Sequence, residues 1–230
     1  MQAVRSPHPP GTVGVISGDL ARFPAFYTSL MNLHVPSGSC LKWVRGNGVA
    51  LNRNIIVRDM EGEWLWFIDD DHTFEPDVLL RLLNREVDMV QPLVATRKPP
   101  FFPYCYQFDG LRYKGGDWPD VPASGLREWD AVGTGGTLIR RKVLDAVGDP
   151  WFEEGKTHVE ALGEDLWFCR KMREKGFRCF VDSNTRLGHI TTIEVWPQQD
   201  NEGQWCVDLD LDGGIRVRTS TSLGRRMYKE

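Results

Sequence analysis

Several broad classes are ruled out by what this sequence lacks. It has five cysteines (Cys40, Cys105, Cys169, Cys179 and Cys206), an odd number with no C-x-x-C pair. A disulfide framework and a cysteine-based zinc site are therefore not expected, and the thiols read as reduced. No apolar run approaches the ~20 residues needed to span a bilayer. Residues 1–10 are proline-rich and contain no hydrophobic leader region, so a cytoplasmic protein without a membrane span is expected. There is no large charge of one sign: 28 Lys and Arg stand against 32 Asp and Glu, a net charge of −4, which gives no general attraction to polyphosphate. Internal repeats and long low-complexity stretches are also absent.

What is present is ordinary globular material, with 41% hydrophobic and 26% charged residues in 230 positions. That suits one domain, or a domain with a small appendage. The nine tryptophans are many for this length. They point either to an aromatic-rich core or to a stacking surface for sugars.

The first half alternates strand and helix. Residues 12–17 (TVGVIS) read as a strand, 20–33 as a helix, 40–44 as a strand and 49–58 as a helix. Residues 64–68 (WLWFI) are apolar throughout, as a strand buried on both faces should be. A helix after Pro76 carries Leu79, Leu80, Leu82 and Leu83, and 88–95 is a further strand. Such alternation predicts an α/β sandwich with parallel strands. The second half is more broken, with strands at 104–108, 129–132 and 137–139, a short helix at 141–147, a helix at 164–175 and a strand at 177–181. Residues 205–211 and 215–218 flank Asp212-Gly213-Gly214 and read as a hairpin.

The buried strand ends at Asp69-Asp70-Asp71-His72. Ligands of open α/β sheets bind beyond the carboxyl ends of strands, and three acids there call for a cation among them. Four readings compete. In the first the acids cap the next helix, but Glu75 and Asp77 are better placed for that. An EF-hand fails because Phe74 and Leu80 stand where Gly and Glu are required. A haloacid-dehalogenase-type phosphatase would use Asp69 as nucleophile in Asp69-x-Asp71-x-Thr73, yet 163–165 is a poor second acidic motif. The fourth reading is a D-x-D glycosyltransferase.

That fourth reading has the widest support. Leu51-Asn52-Arg53-Asn54, followed by 64–71, resembles the "a-R-N … flDaD" stretch of family 2-like glycosyltransferases with the GT-A fold. Gly135-Gly136-Thr137-Leu138-Ile139-Arg140-Arg141 resembles a later segment of that family, and Gly163-Glu164-Asp165 its "gED" motif. Gly176-Phe177-Arg178 and His189 are similar to its ending. The series covers roughly residues 12–190, in order. The implied fold is a GT-A-like, Rossmann-type three-layer α/β/α sandwich with a mixed, mostly parallel sheet. The implied organisation is a tail at 1–11, a glycosyltransferase domain at 12–193 and a C-terminal hairpin and tail at 194–230. Within the domain, 12–98 would hold the nucleotide-sugar and 99–193 the acceptor and catalytic groups.

The resemblance implies a metal-dependent transfer of sugar from a nucleotide-sugar, UDP- or GDP-linked, to an acceptor hydroxyl, with inversion. Asp69, Asp71 and His189 would hold a divalent metal, Mn2+ favoured over Mg2+ because an imidazole takes part. Asp165 would be the general base, with Glu164 beside it. Ser17, Asp19, Asn47, Arg53, Asn54, Asp69 and Asp70 would face the nucleotide-sugar. Gly135 and Gly136 would give close approach to sugar or acceptor, and Trp129 and Trp151 would stack on sugar rings or else belong to the core. The acceptor stays open among a glycan, a protein, a lipid-linked sugar and a modified nucleic-acid base. A rival is a catalytically idle member that only binds nucleotide-sugars.

Overall fold

The computed structural model describes residues 1–18, 23–98, 101–191, 193–199, 201–202, 205–211 and 215–220. They form two compact units: Met1–Ala95 with Phe102–His189, and Thr96–Phe101 with the stretch from Ile190 onward.

The first unit is built on seven strands. In chain order they are β1 (Thr12–Ser17), β2 (Cys40–Arg45), β3 (Trp64–Asp69), β4 (Met89–Leu93), β5 (Leu126–Trp129), β6 (Leu138–Arg140) and β7 (Cys179–Arg186). Across the sheet they lie in the order β5-β7-β4-β6-β3-β1-β2. β1 runs parallel to both β2 and β3, and β7 parallel to β4. β6 is inserted antiparallel between β3 and β4, and β5 is antiparallel to β7 at the edge. The sheet is therefore mixed and mostly parallel, as expected.

The helices α1 (Pro24–Asn32), α2 (Val49–Arg58), α3 (Val78–Leu83), α4 (Arg141–Val147) and α5 (Glu164–Glu174) cover both faces. β3 explains why both must be covered. Its side chains alternate between faces, and Trp64 through Ile68 are all fully buried. Trp64, Trp66 and Ile68 pack with Phe26 of α1 and Leu79 and Leu82 of α3. Leu65 and Phe67 pack with Ile56 of α2, Val143 of α4 and Phe168 of α5. Each buried indole N–H of β3 has an acceptor: Trp66 Nε1 donates to the Gly136 carbonyl at 2.8 Å, and Trp64 Nε1 to that of Pro9 at 2.9 Å.

Three expectations need correction. The segment read as an N-terminal tail contains Gln2–Val4, a strand that pairs in parallel with His34–Pro36. The single strand read at 129–132 is two. Asp130 turns its carboxylate onto the Phe108 N–H at 2.8 Å, so Ala131–Val132 leaves the main sheet and pairs with Cys105–Phe108. In the second unit, the expected hairpin gains Ile193–Gln199, giving a three-stranded antiparallel sheet with Trp205–Leu211 and Ile215–Ser220. Where a domain at 12–193 divided near 98 was expected, the first unit comprises Met1–Ala95 and Phe102–His189, on either side of Thr96–Phe101. The turn 212–214 and the tail from 221 lie outside the described residues. Among the described residues no helix is long and apolar enough to cross a membrane.

This topology decides where chemistry can occur. The C-terminal ends of β1, β3, β4 and β7 and the start of β6 all reach the same sheet edge. Trp66→Phe is expected to keep the fold but leave the buried Gly136 carbonyl without its donor. The expected loss is about 1–3 kcal/mol of unfolding free energy, measured by urea denaturation.

Candidate active site

β3 carries the chain out of the core at Asp69, and Asp70 and Asp71 form a turn. His72–Thr73 then pairs antiparallel with Gly188–His189, the segment that follows β7, so that His72 lies opposite His189. The pairing stacks the two imidazoles, with centroids 4.5 Å apart and planes 17° from parallel. Asp71 touches both rings: Oδ1 is 3.2 Å from His72 Nδ1, and Oδ2 is 3.4 Å from His189 Nε2. Burial pushes the Asp71 carboxyl up, but hydrogen bonds and charge from His189 and His72 outweigh it and hold it well below the usual carboxylate range.

The orientation of His189 is set from behind. Its Nδ1 is 2.8 Å from the Ala95 carbonyl, which can only accept, so Nδ1 carries the proton. A protonated ring donates Nε2–H to Asp71, whereas a neutral ring turns an Nε2 lone pair toward the carboxylate, and a cation between the two would then satisfy both. Ligand atoms of Asp71, His72 and His189 all lie within 4.8 Å of one another. This donor set fits a divalent metal. Asp69, expected to share the metal, is not in this group. The turn after β3 directs its carboxylate at Gly135 instead, where an added Cβ would lie 2.6 Å from Asp69 Oδ2 and 3.2 Å from His72 Cε1. Asp69 Oδ1 is buried and has no hydrogen-bond partner among the described residues. Asp70 is 8% exposed.

The turn before β6 joins this half of the site to a second. Gly135 abuts Asp69, while two residues earlier an added Cβ on Gly133 would enter the Tyr104 ring. Burial raises the Tyr104 hydroxyl pKa; Asp165, Asp69 and Glu164 raise it further, and Arg53 opposes them. The hydroxyl thus stays protonated, a neutral donor that feels both halves.

The second half is the start of α5. Asp165 Oδ1 accepts the Leu166 N–H at 2.8 Å. Burial raises the Asp165 pKa, Arg53 opposes, and Glu164 adds to the rise. Glu164 is ion-paired with Arg53, which is 4% exposed.

Other expected nucleotide contacts are placed differently. Arg53 meets Glu164 rather than an open cleft. The Asn54 amide is saturated by the Phe152 backbone, donating to its carbonyl at 2.7 Å and accepting its N–H at 2.9 Å, so it braces a loop. Ser17 is at the sheet edge but buried, with its Oγ accepting from Trp43 Nε1 at 2.7 Å. Asn47 ties its turn to α2 through the Asn52 side chain at 3.0 Å. Asp19 lies outside the described residues. Trp129 is 2% exposed and has no face free for a sugar; it belongs to the core. Trp151 packs against that core and donates to the Leu144 carbonyl at 2.8 Å. Gly136 has φ +83°, and its carbonyl supports Trp66.

Sequence reasoning assigned no role to His72 or Tyr104. His72 was visible as the residue directly after the aspartates, but only its pairing with His189 brings it into the cluster. Nothing in the local sequence singles out Tyr104.

Residues 34–107 match the family model described as Glycosyl transferase family 2. The matched stretch includes the aspartates, His72 and Tyr104, and leaves out Asp165 and His189. Among solved structures, the chain resembles A197 from STIV, with 17% identity and a TM-score of 0.52 over 90% of this chain and 97% of that one. It also resembles GalNAc-T7, crystallised with UDP, GalNAc and Mn2+, with 13% identity and a TM-score of 0.56 over 80% of this chain. The chain spans 44% of that protein's length. At such identities the likeness establishes the fold, which is GT-A-like. No curated protein matches the sequence.

The raised pKa of Asp165 has a consequence for stability. A carboxyl whose folded pKa lies above its unfolded value costs stability once pH rises through that range. Asp165→Asn is therefore expected to raise the thermal midpoint at neutral pH, with the gain vanishing in acid. Scanning calorimetry at both pH values checks this.

Proposed function

With residues 34–107 a glycosyl transferase family 2 segment, we propose that the chain transfers a sugar from a nucleotide-sugar to an acceptor hydroxyl, with a divalent metal and with inversion. One observation carries this reading. A carboxylate and two imidazoles converge at a sheet edge, while a single glycine turn connects them to a tyrosine coupled to a desolvated carboxylate at a helix start.

Asp71, His72 and His189 would hold the metal, and two imidazoles in the set favour Mn2+ over Mg2+. When bound, the metal supplies Lewis-acid charge against the departing diphosphate. The remaining work falls to the chain. The free Oδ1 of Asp69 accepts a hydroxyl of the donor. Tyr104 donates its O–H toward the transferred sugar. Asp165 Oδ1 is engaged by Leu166, which leaves Oδ2 to take the acceptor's proton as its oxygen attacks the anomeric carbon. The raised Asp165 pKa makes its ionised form a better base than an ordinary carboxylate. GalNAc-T7 was crystallised with UDP, so a UDP-sugar is the first donor to test, with GDP-sugars next. Acceptors to screen are glycans, proteins, lipid-linked sugars and modified nucleic-acid bases.

Asp71→Ala is expected to abolish both transfer and Mn2+-dependent nucleotide binding. Asp165→Asn should lower turnover by about 10²–10⁴-fold with nucleotide affinity unchanged, read by donor-turnover assay and calorimetry. Metal-dependent binding without turnover of any donor would instead identify an idle nucleotide-sugar binder, and a beryllofluoride adduct on Asp69 a phosphatase. His72→Ala should weaken Mn2+ about 10–100-fold if the ring ligates or orients the metal. Titration calorimetry with Mn2+ alone measures this.

A further inference from the structure

Arg53 lies on α2, far in sequence from α5, yet its side chain is almost wholly enclosed at 4% exposed. Two contacts fix the guanidinium. Nη1 forms an ion pair with Glu164 Oε1, and the group lies over the Phe152 ring, 5.7 Å from its centroid. Phe152 is itself immobilised. Its backbone is clamped by Asn54, its ring stacks on Phe168 of α5 at 4.6 Å, and it meets Phe67 of β3 edge-on at 5.4 Å. Adjacent residues of α2 thus grip one loop residue and one end of α5. Gly163, the residue before α5, offers no side-chain cap, and Arg53 supplies a side-chain contact to the first turn from outside the helix.

The titratable groups around Asp165 come from three elements: Arg53 of α2, Glu164 of its own helix, and the neutral hydroxyls of Tyr104 and Tyr106 on the neighbouring chain segment. Arg53 is the cation in that set. It engages Glu164 directly, so one of the two adjacent carboxylates is already ion-paired.

Resting on the transferase reading above, we propose that Arg53 is a positioning residue for the general base. By holding Glu164 and the first turn of α5, it selects Asp165 as the carboxylate presented to the acceptor. It would not be a nucleotide contact.

The two partners of this ion pair make the idea testable, because they act on Asp165 with opposite sign. Removing the Arg53 cation disfavours the ionised form of Asp165, whereas removing the Glu164 anion favours it. Arg53→Met should therefore lower kcat at least tenfold with donor KM within about twofold, and move the acid limb of the kcat/KM pH profile upward. Glu164→Gln breaks the same pair and should move the acid limb downward. Arg53→Lys, which keeps the charge, should return most of the wild-type limb position; it also serves if Arg53→Met does not fold. A brace without an electrostatic role would move both limbs alike or neither, and would overturn the proposal. So would a loss confined to donor KM in Arg53→Met. Carboxyl NMR of aspartate-labelled full-length protein, with Asp165→Asn identifying the signal, follows the same titrations without turnover. If the wild type transfers no sugar, the transferase reading fails, while the NMR shifts still decide the role of Arg53.

Discussion

A strand with no solvent-exposed face can carry charge only at its ends, and this constraint on β3 organises the protein. Five consecutive apolar residues are enclosed by two helical layers. The acids that follow emerge together at one edge of the sheet. Gathered there, carboxylates repel unless cationic or polar partners come to them. The partners arrive from β7, whose continuation pairs with the strand after the acids and stacks His189 on His72. The contact of Asp71 with both rings is the outcome, and the remainder of the edge is arranged around it.

The second organising feature is close approach at the turn before β6. Because β6 is inserted antiparallel between β3 and β4, its start, rather than its end, lies at the site. Glycine there lets backbone lie directly against Asp69 on one side and the Tyr104 ring on the other. A side chain in either place would displace the groups that the turn keeps in register. The start of α5 is held by a separate device, the grip of Arg53 and Asn54 on Glu164 and Phe152. The two parts of the site thus have separate supports, with the turn before β6 touching Asp69 and Tyr104.

Much of this was legible without coordinates. The five-residue apolar run read as a doubly buried strand because burial on both faces removes the usual alternation. The acid cluster after it read as a cation site through elementary repulsion. Asp165 stood out by its place at a helix start within a family-like series. The misreadings share one cause: a side chain's partners are not encoded next to it. Asn54 and Trp129 look like binding residues by type, yet the Phe152 backbone saturates one and the core encloses the other. Asp69 reads as a metal ligand by spacing, and its closeness to Gly135 could be known only from the fold.

The sequence by itself determined the elements and their ends: apolar period and run length specify strand and helix, and acids placed where a run stops specify a charged sheet edge. These are local properties, set by each residue's cost of burial and by the regular geometry of the backbone. Tertiary structure alone decided which charges meet. The approach of His72 to His189, of Arg53 to Glu164, and of Tyr104 to both halves depends on strand order and on the antiparallel insertion of β6. Interactions between charged and polar groups fall away steeply with distance and depend on what is buried around them. They exist only once the fold has brought distant segments of the chain within reach.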